Sequence, residues 1–261
     1  MKELLPLFGI VTVLNTPFKD DGSIDIESLE KHVDYAIEAG VSGILYPAMD
    51  SEVNYLTEYE KIEGIKAVMA TNQNKVKVIG GCYGKQRADR LKMAEKLIDL
   101  GVDGILINLP YNNMESFISE LKEIDKINPS FLMVQDWDDR GYGIPLDVIE
   151  NAFNEIESFR VLKIEVVGSC LKYTDVINRT KGLLNVSGGW AVMHLIEALD
   201  RGVHCFIPTA LHEIYVKIYE LYRTGNRESA KDLFYRLLPV INFSNQSLDI
   251  SIIFFKRATN I

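Results

Sequence analysis

Short apolar runs alternate with longer amphipathic stretches along most of this chain. The runs occupy residues 8–14, 43–47, 76–81, 104–109, 131–135, 161–165, 184–186 and 205–207. They are rich in Val, Ile and Leu and read as strands buried on both faces, the pattern of a parallel sheet. Stretches such as 26–39, 58–71, 85–100 and 191–201 lie between them and read as helices. In the first, Leu29, Val33, Ala36 and Ile37 recur at spacings of three and four, which marks one helix face. Gly40, Gly101 and Gly202 stand where a left-handed helix cap is expected. Eight strands, each followed by a helix, predict an α/β fold of the (β/α)8 TIM-barrel type. Past residue 225 the alternation stops, and 228–243 and 248–258 read as added helices. The expected organisation is therefore a barrel over 1–224 and a short C-terminal helical appendage over 225–261, ending abruptly at Asn260-Ile261.

Composition narrows the function classes. The chain has 261 residues, 47% of them hydrophobic, and a formal net charge of −9, which argues against nucleic acid or an anionic membrane as a partner. Cys82, Cys170 and Cys205 lack metal-ligand spacing, and Cys82 and Cys205, set in strand-like runs, read as reduced core thiols. The N-terminus lacks the features of a signal peptide, and no apolar run reaches the roughly 18–20 residues of a membrane span, so a cytoplasmic location is expected. No metal site and no nucleotide-phosphate loop is legible, so neither a metal nor a cofactor is expected.

The residue that changes the picture is Lys163, set in the strand-like run Phe159-Arg160-Val161-Leu162-Lys163-Ile164-Glu165-Val166. Burying an ammonium is costly, so such a lysine either loses its proton and becomes a nucleophile or is held in an ion pair. Period two places Glu165 on the same face. Barrel active sites lie at the C-terminal ends of strands. That rule adds Asp50, Ser51, Glu52, Tyr83, Tyr111, Asn112, Asn113, Gln135, Asp136, Arg140 and the Ser187-Gly188-Gly189 turn as candidates. Each has a structural alternative: Glu52 near a helix start, Tyr111 as a packing aromatic, Asp136 as a turn cap, and Asp138-Asp139-Arg140 as a solvated loop.

These pieces resemble the dihydrodipicolinate synthase / N-acetylneuraminate lyase family of pyruvate-dependent class I aldolases. The resemblance is carried by Gly9-Ile10-Val11-Thr12 with Thr16-Pro17-Phe18, by Glu52 with Leu56-Thr57 and Glu60, and by Gly80-Gly81, Pro110-Tyr111, Arg140, Lys163 and Ser187-Gly188. It implies a Schiff base between Lys163 and the keto carbon of pyruvate or a related 2-oxo acid, and assembly as a homo-oligomer, a dimer or tetramer. The chain departs from the family where hydroxyl groups are usual. Ala48-Met49-Asp50-Ser51-Glu52 replaces Gly-Thr-Thr-Gly-Glu, Asn112 replaces the second tyrosine of a pair, and Gln135-Asp136 replaces a tyrosine and its following asparagine. The C-terminus is also expected to be short of one or more helices.

The expected catalytic set is Lys163, Glu165, Gln135 and Asp136. Substrate binding is expected from Asp50, Ser51, Tyr111, Asn112, Arg140, Gly188 and Gly189. Three activities fit: an imine-forming lyase or aldolase, a dehydratase on a sugar-acid-like 2-oxo substrate, and a ligand-binding barrel without catalysis.

Overall fold

The computed structural model describes residues 2–259. Met1 and the expected last residues, Asn260-Ile261, lie outside the described residues. The strands are β1 (Gly9–Val13), β2 (Gly43–Tyr46), β3 (Lys77–Cys82), β4 (Gly104–Asn108), β5 (Leu132–Asp138), β6 (Phe159–Val166), β7 (Asn185–Gly188) and β8 (Cys205–Phe206). They form a closed barrel in chain order. The helices following them are α1 (Ile26–Glu38), α2 (Glu58–Asn72), α3 (Arg87–Asp99), α4 (Met114–Asp125), α5 (Leu146–Glu155), α6 (Ser169–Arg179), α7 (Leu195–Asp200) and α8 (His212–Arg223). Two further helices, α9 (Arg227–Ser244) and α10 (Leu248–Ala258), follow α8. The eightfold alternation read from the apolar runs is thus the observed architecture.

Local chemistry sets the element boundaries. Asp25 caps α1 by accepting from the Ser28 N–H, and Asn113 caps α4 in the same way through Ser116. Thr57 and Glu60 form a reciprocal capping box at the start of α2. The helix expected over 191–201 starts late, at Leu195, because Trp190 and Val192 take left-handed backbone angles that no helix continues through. β5 and β6 run beyond their apolar cores. Asp136, Asp138 and Glu165 stay in the ladder because each finds a partner there.

Within the described residues the chain forms two compact groups. One contains residues 2–8, 80–189 and 197–205; the other contains 9–79, 190–196 and 206–259. In the second group a chain of polar side chains runs through the interior. Thr12 Oγ1 lies 3.0 Å from His212 Nδ1, and His212 Nε2 lies 3.4 Å from His32 Nε2. His212 is fully buried. Burial, assisted by His32, pushes its pKa from 6.5 down to about 3. The unfolded chain therefore binds a proton that the folded chain refuses between these values, and stability falls as pH drops below 6.5. At pH 5 the loss from His212 alone is about 2 kcal/mol relative to pH 8. Urea titrations of the native protein and of His212→Gln at the two pH values check this. The variant is expected to show a smaller loss between pH 8 and pH 5.

Candidate active site

Four neighbouring strands of the first group place one polar residue each at the same level. Asn108 on β4 pairs in register with Gln135 on β5, Gln135 with Lys163 on β6, and Lys163 with Ser187 on β7. Registered residues of parallel strands point to the same side. The intervening residue Asp136 meets Lys172 of α6, so its face is the helix-packed one. Lys163 and its three partners consequently face the barrel interior.

Lys163 is 3% exposed and Glu165 6%. Lys163 Nζ lies 3.0 Å from Glu165 Oε2. The same Oε2 accepts a hydrogen bond from Gln135 Nε2 at 2.5 Å. On its other side Gln135 Oε1 accepts from the Tyr83 hydroxyl at 3.4 Å and from Asn108 Nδ2 at 3.3 Å. Tyr83 enters from the turn after β3. Glu165 also needs space behind it: a Cβ added at Gly189 would land on the Glu165 carboxylate. Gly188 closes β7 opposite Ile164, and the Gly189 N–H donates to the Ile164 carbonyl.

Several other expected residues are held by partners of their own. Asp136 is a correction to its expected role at the lysine. Alternation turns its side chain away from Lys163 and toward α6, where its Oδ2 is 2.5 Å from Lys172 Nζ and its Oδ1 accepts from the Ile144 N–H. Burial pushes the Asp136 carboxyl up and the Lys172 ammonium down, and each partner opposes the other's shift. Lys172 also donates to the carbonyls of Tyr142 and Ile144, and its ammonium lies 4.5 Å from the Tyr142 ring centroid. A Cβ at Gly143, whose φ is +71°, would collide with Asp136. Asp138 adds three contacts, accepting from the backbone N–H groups of Arg140, Gly141 and Gly143. These bonds hold its carboxyl below the usual range, the Arg140 N–H most strongly. The loop between β5 and α5 is thus strapped from beneath, while the Arg140 side chain projects from it 90% exposed.

Tyr111 packs its ring edge-on to Phe117 of α4, and Asn112 is exposed. Asp50 and Ser51 belong to the second compact group. The Asp50 carbonyl accepts from Asn15 Nδ2. The Ser51 hydroxyl accepts from the Ala48 N–H and donates to the Leu14 carbonyl, and the Ser51 carbonyl accepts from Thr16. Ser51 therefore spends its hydroxyl proton on the fold. Glu52 pairs with Lys256 of α10 at 2.5 Å, and the cap of α2 is Thr57 instead.

Two site residues escaped the sequence reading, Asn108 and Lys172. Asn108 was legible as the last inward position of β4, two beyond the apolar Leu106. Lys172 sits on the buried stripe Ser169, Lys172, Tyr173, Val176 of α6, where a charge in an apolar period was the available signal.

A model of the dihydrodipicolinate synthetase family matches residues 6–258. The chain belongs to this family. It is similar to the 4-hydroxy-tetrahydrodipicolinate synthase of Methanococcus maripaludis strain C6, at 26% identity over 89% of this chain and 81% of that protein. It is equally similar to a DapA-like lyase of Pyrobaculum arsenaticum, at 26% identity over 92% of this chain and 81% of that one. Among solved structures, the YagE prophage protein of E. coli K12, solved in complex with pyruvate, superposes with a TM-score of 0.88. That match has 18% identity and covers 98% of this chain and 88% of that chain. This dihydrodipicolinate synthetase family member is a lyase.

Proposed function

We propose that this lyase forms an imine between Lys163 and the keto carbon of pyruvate or a related 2-oxo acid, in a reaction like that of dihydrodipicolinate synthase. The observation that carries the reading is the Lys163–Glu165 pair, buried and facing the barrel interior in a member of this family. The lysine must be neutral to attack. Glu165, 3.0 Å away, is the group placed to take its proton. Attack on the keto carbon forms a C–N bond, and the keto oxygen leaves as water. Loss of a proton from the adjacent carbon gives an enamine, which adds to an aldehyde or, in reverse, is released from one. A carboxylate beside the imine also suits removal of a hydroxyl from a sugar-acid-like 2-oxo substrate, and product analysis separates the two lyase readings.

The test is to incubate the protein with pyruvate and borohydride and to weigh it and its peptides. A reduced adduct on Lys163 is expected. No adduct with pyruvate or a panel of other 2-oxo acids would turn the reading to a binding barrel without catalysis. Arg140 is the exposed cation of the β5–α5 loop, and its guanidinium fork suits a carboxylate. Steady-state kinetics of Arg140→Ala are expected to show a raised KM with a smaller change in kcat. An unchanged KM would leave Arg140 as a solvated loop residue. With this function goes a homo-oligomer, dimer or tetramer, in the cytoplasm. Residues 1–224 serve as the catalytic barrel and 225–261 as its appendage.

A further inference from the structure

Gln135 stands between two sets of partners that make opposite demands on its amide. An ionised Glu165 carboxylate can only accept, so it requires the NH2 end. That end is where the structure places it, 2.5 Å from Glu165 Oε2. The carbonyl end then faces Tyr83 and Asn108, both of which donate to it. Were the amide turned over, its carbonyl would face Glu165 and repel the ionised form. Only a carboxyl carrying a proton could bond to it.

We propose that Tyr83 and Asn108 are positioning residues that hold the Gln135 amide with its NH2 group on Glu165, and so select the ionised carboxylate that can take the proton of Lys163. This rests on the imine-forming reading for its catalytic meaning, but the proton on Glu165 can be read without it. Amide orientation is a two-state property: the present arrangement suits the ionised Glu165, and the turned-over one is open only to the protonated form. Asn108 is the member that can be forced: as an amide it donates, whereas an aspartate in its place accepts only. Among the described residues, titratable groups facing Glu165 include Lys163 on its own strand, Tyr83 beyond β3 by way of Gln135, and Tyr173 on α6, whose buried phenol feels the Glu165 charge.

The experiment compares Asn108→Asp and Tyr83→Phe with the native protein, and the double variant Asn108→Asp/Gln135→Met with Gln135→Met. Two quantities are followed across pH: the rate of borohydride trapping of pyruvate at Lys163, and the Glu165 carboxyl signal in carbon-13 NMR of glutamate-labelled protein. Asn108→Asp recruits the NH2 group away from Glu165, so the acid limb and the NMR midpoint are expected to move up by about one pH unit. Tyr83→Phe keeps the ring, loses one donor, and moves both the same way by less. In the Gln135→Met background the Asn108→Asp shift is expected to vanish. A shift that survives there is the through-space effect of a new charge and overturns the proposal, as do unmoved midpoints in both single variants. Absence of a pyruvate adduct in the native protein removes the imine-forming reading but leaves the NMR test of the amide lock intact.

Discussion

Lys172→Met is expected to destabilise the protein by about 3–5 kcal/mol, the cost of leaving a buried carboxylate without its partner. Lys172 and Asp136 have side chains only 0% and 1% exposed, so water cannot replace the lost ammonium without opening the space between β5 and α6. The substitution also takes a donor from the carbonyls of Tyr142 and Ile144, which fix the loop leading to α5. The double variant Lys172→Met/Asp136→Leu should recover much of the loss, because removing both charges removes both desolvation penalties. Urea unfolding at pH 7 measures each variant. A loss below about 1 kcal/mol for Lys172→Met would mean the pair behaves like an exposed one.

Glu165→Gln is expected to lower turnover by about 10²–10⁴, the usual worth of a positioned acid–base group. A neutral amide cannot take the proton of Lys163, yet it nearly matches the carboxylate in shape and keeps the packing against Gly189. The borohydride adduct on Lys163 should still form, more slowly, because the nucleophile remains. Turnover within tenfold of native would assign Glu165 to holding the lysine and nothing more. Gln135→Ala is expected to cost less than Glu165→Gln, since an amide orients groups and has no proton to give at these pH values.

The barrel was legible because its strands are buried on both faces and therefore write themselves as unbroken apolar runs. Lys163 was legible for the same reason: it is a charge inside such a run. Glu165 followed from period two alone. What failed was the assumption that every polar residue near a strand end faces the site. Gln135 and Asp136 are adjacent, so the pleat must send them to opposite sides, and the α6 lysine that receives Asp136 lies 36 residues on in a helix. The exposure of Arg140 and the use of the Ser51 hydroxyl by the Leu14 carbonyl depend on loop paths that no local pattern specifies. Asn108 was overlooked because it lies inside the run 104–109, and the search for site residues began beyond the end of that run.

Gly189 and Glu165 together occupy a space that admits only one side chain of any size. The two positions, on neighbouring stretches of the wall, are therefore exchangeable partners in volume. A variant that shortens residue 165 vacates the ground on which residue 189 could carry a side chain, whereas enlarging residue 189 alone evicts the carboxylate. A designer wishing to move the acidic group from position 165 to position 189 must change both positions in one step. In a set of related chains, the same constraint would register as paired substitution: bulk at one position accompanied by its loss at the other.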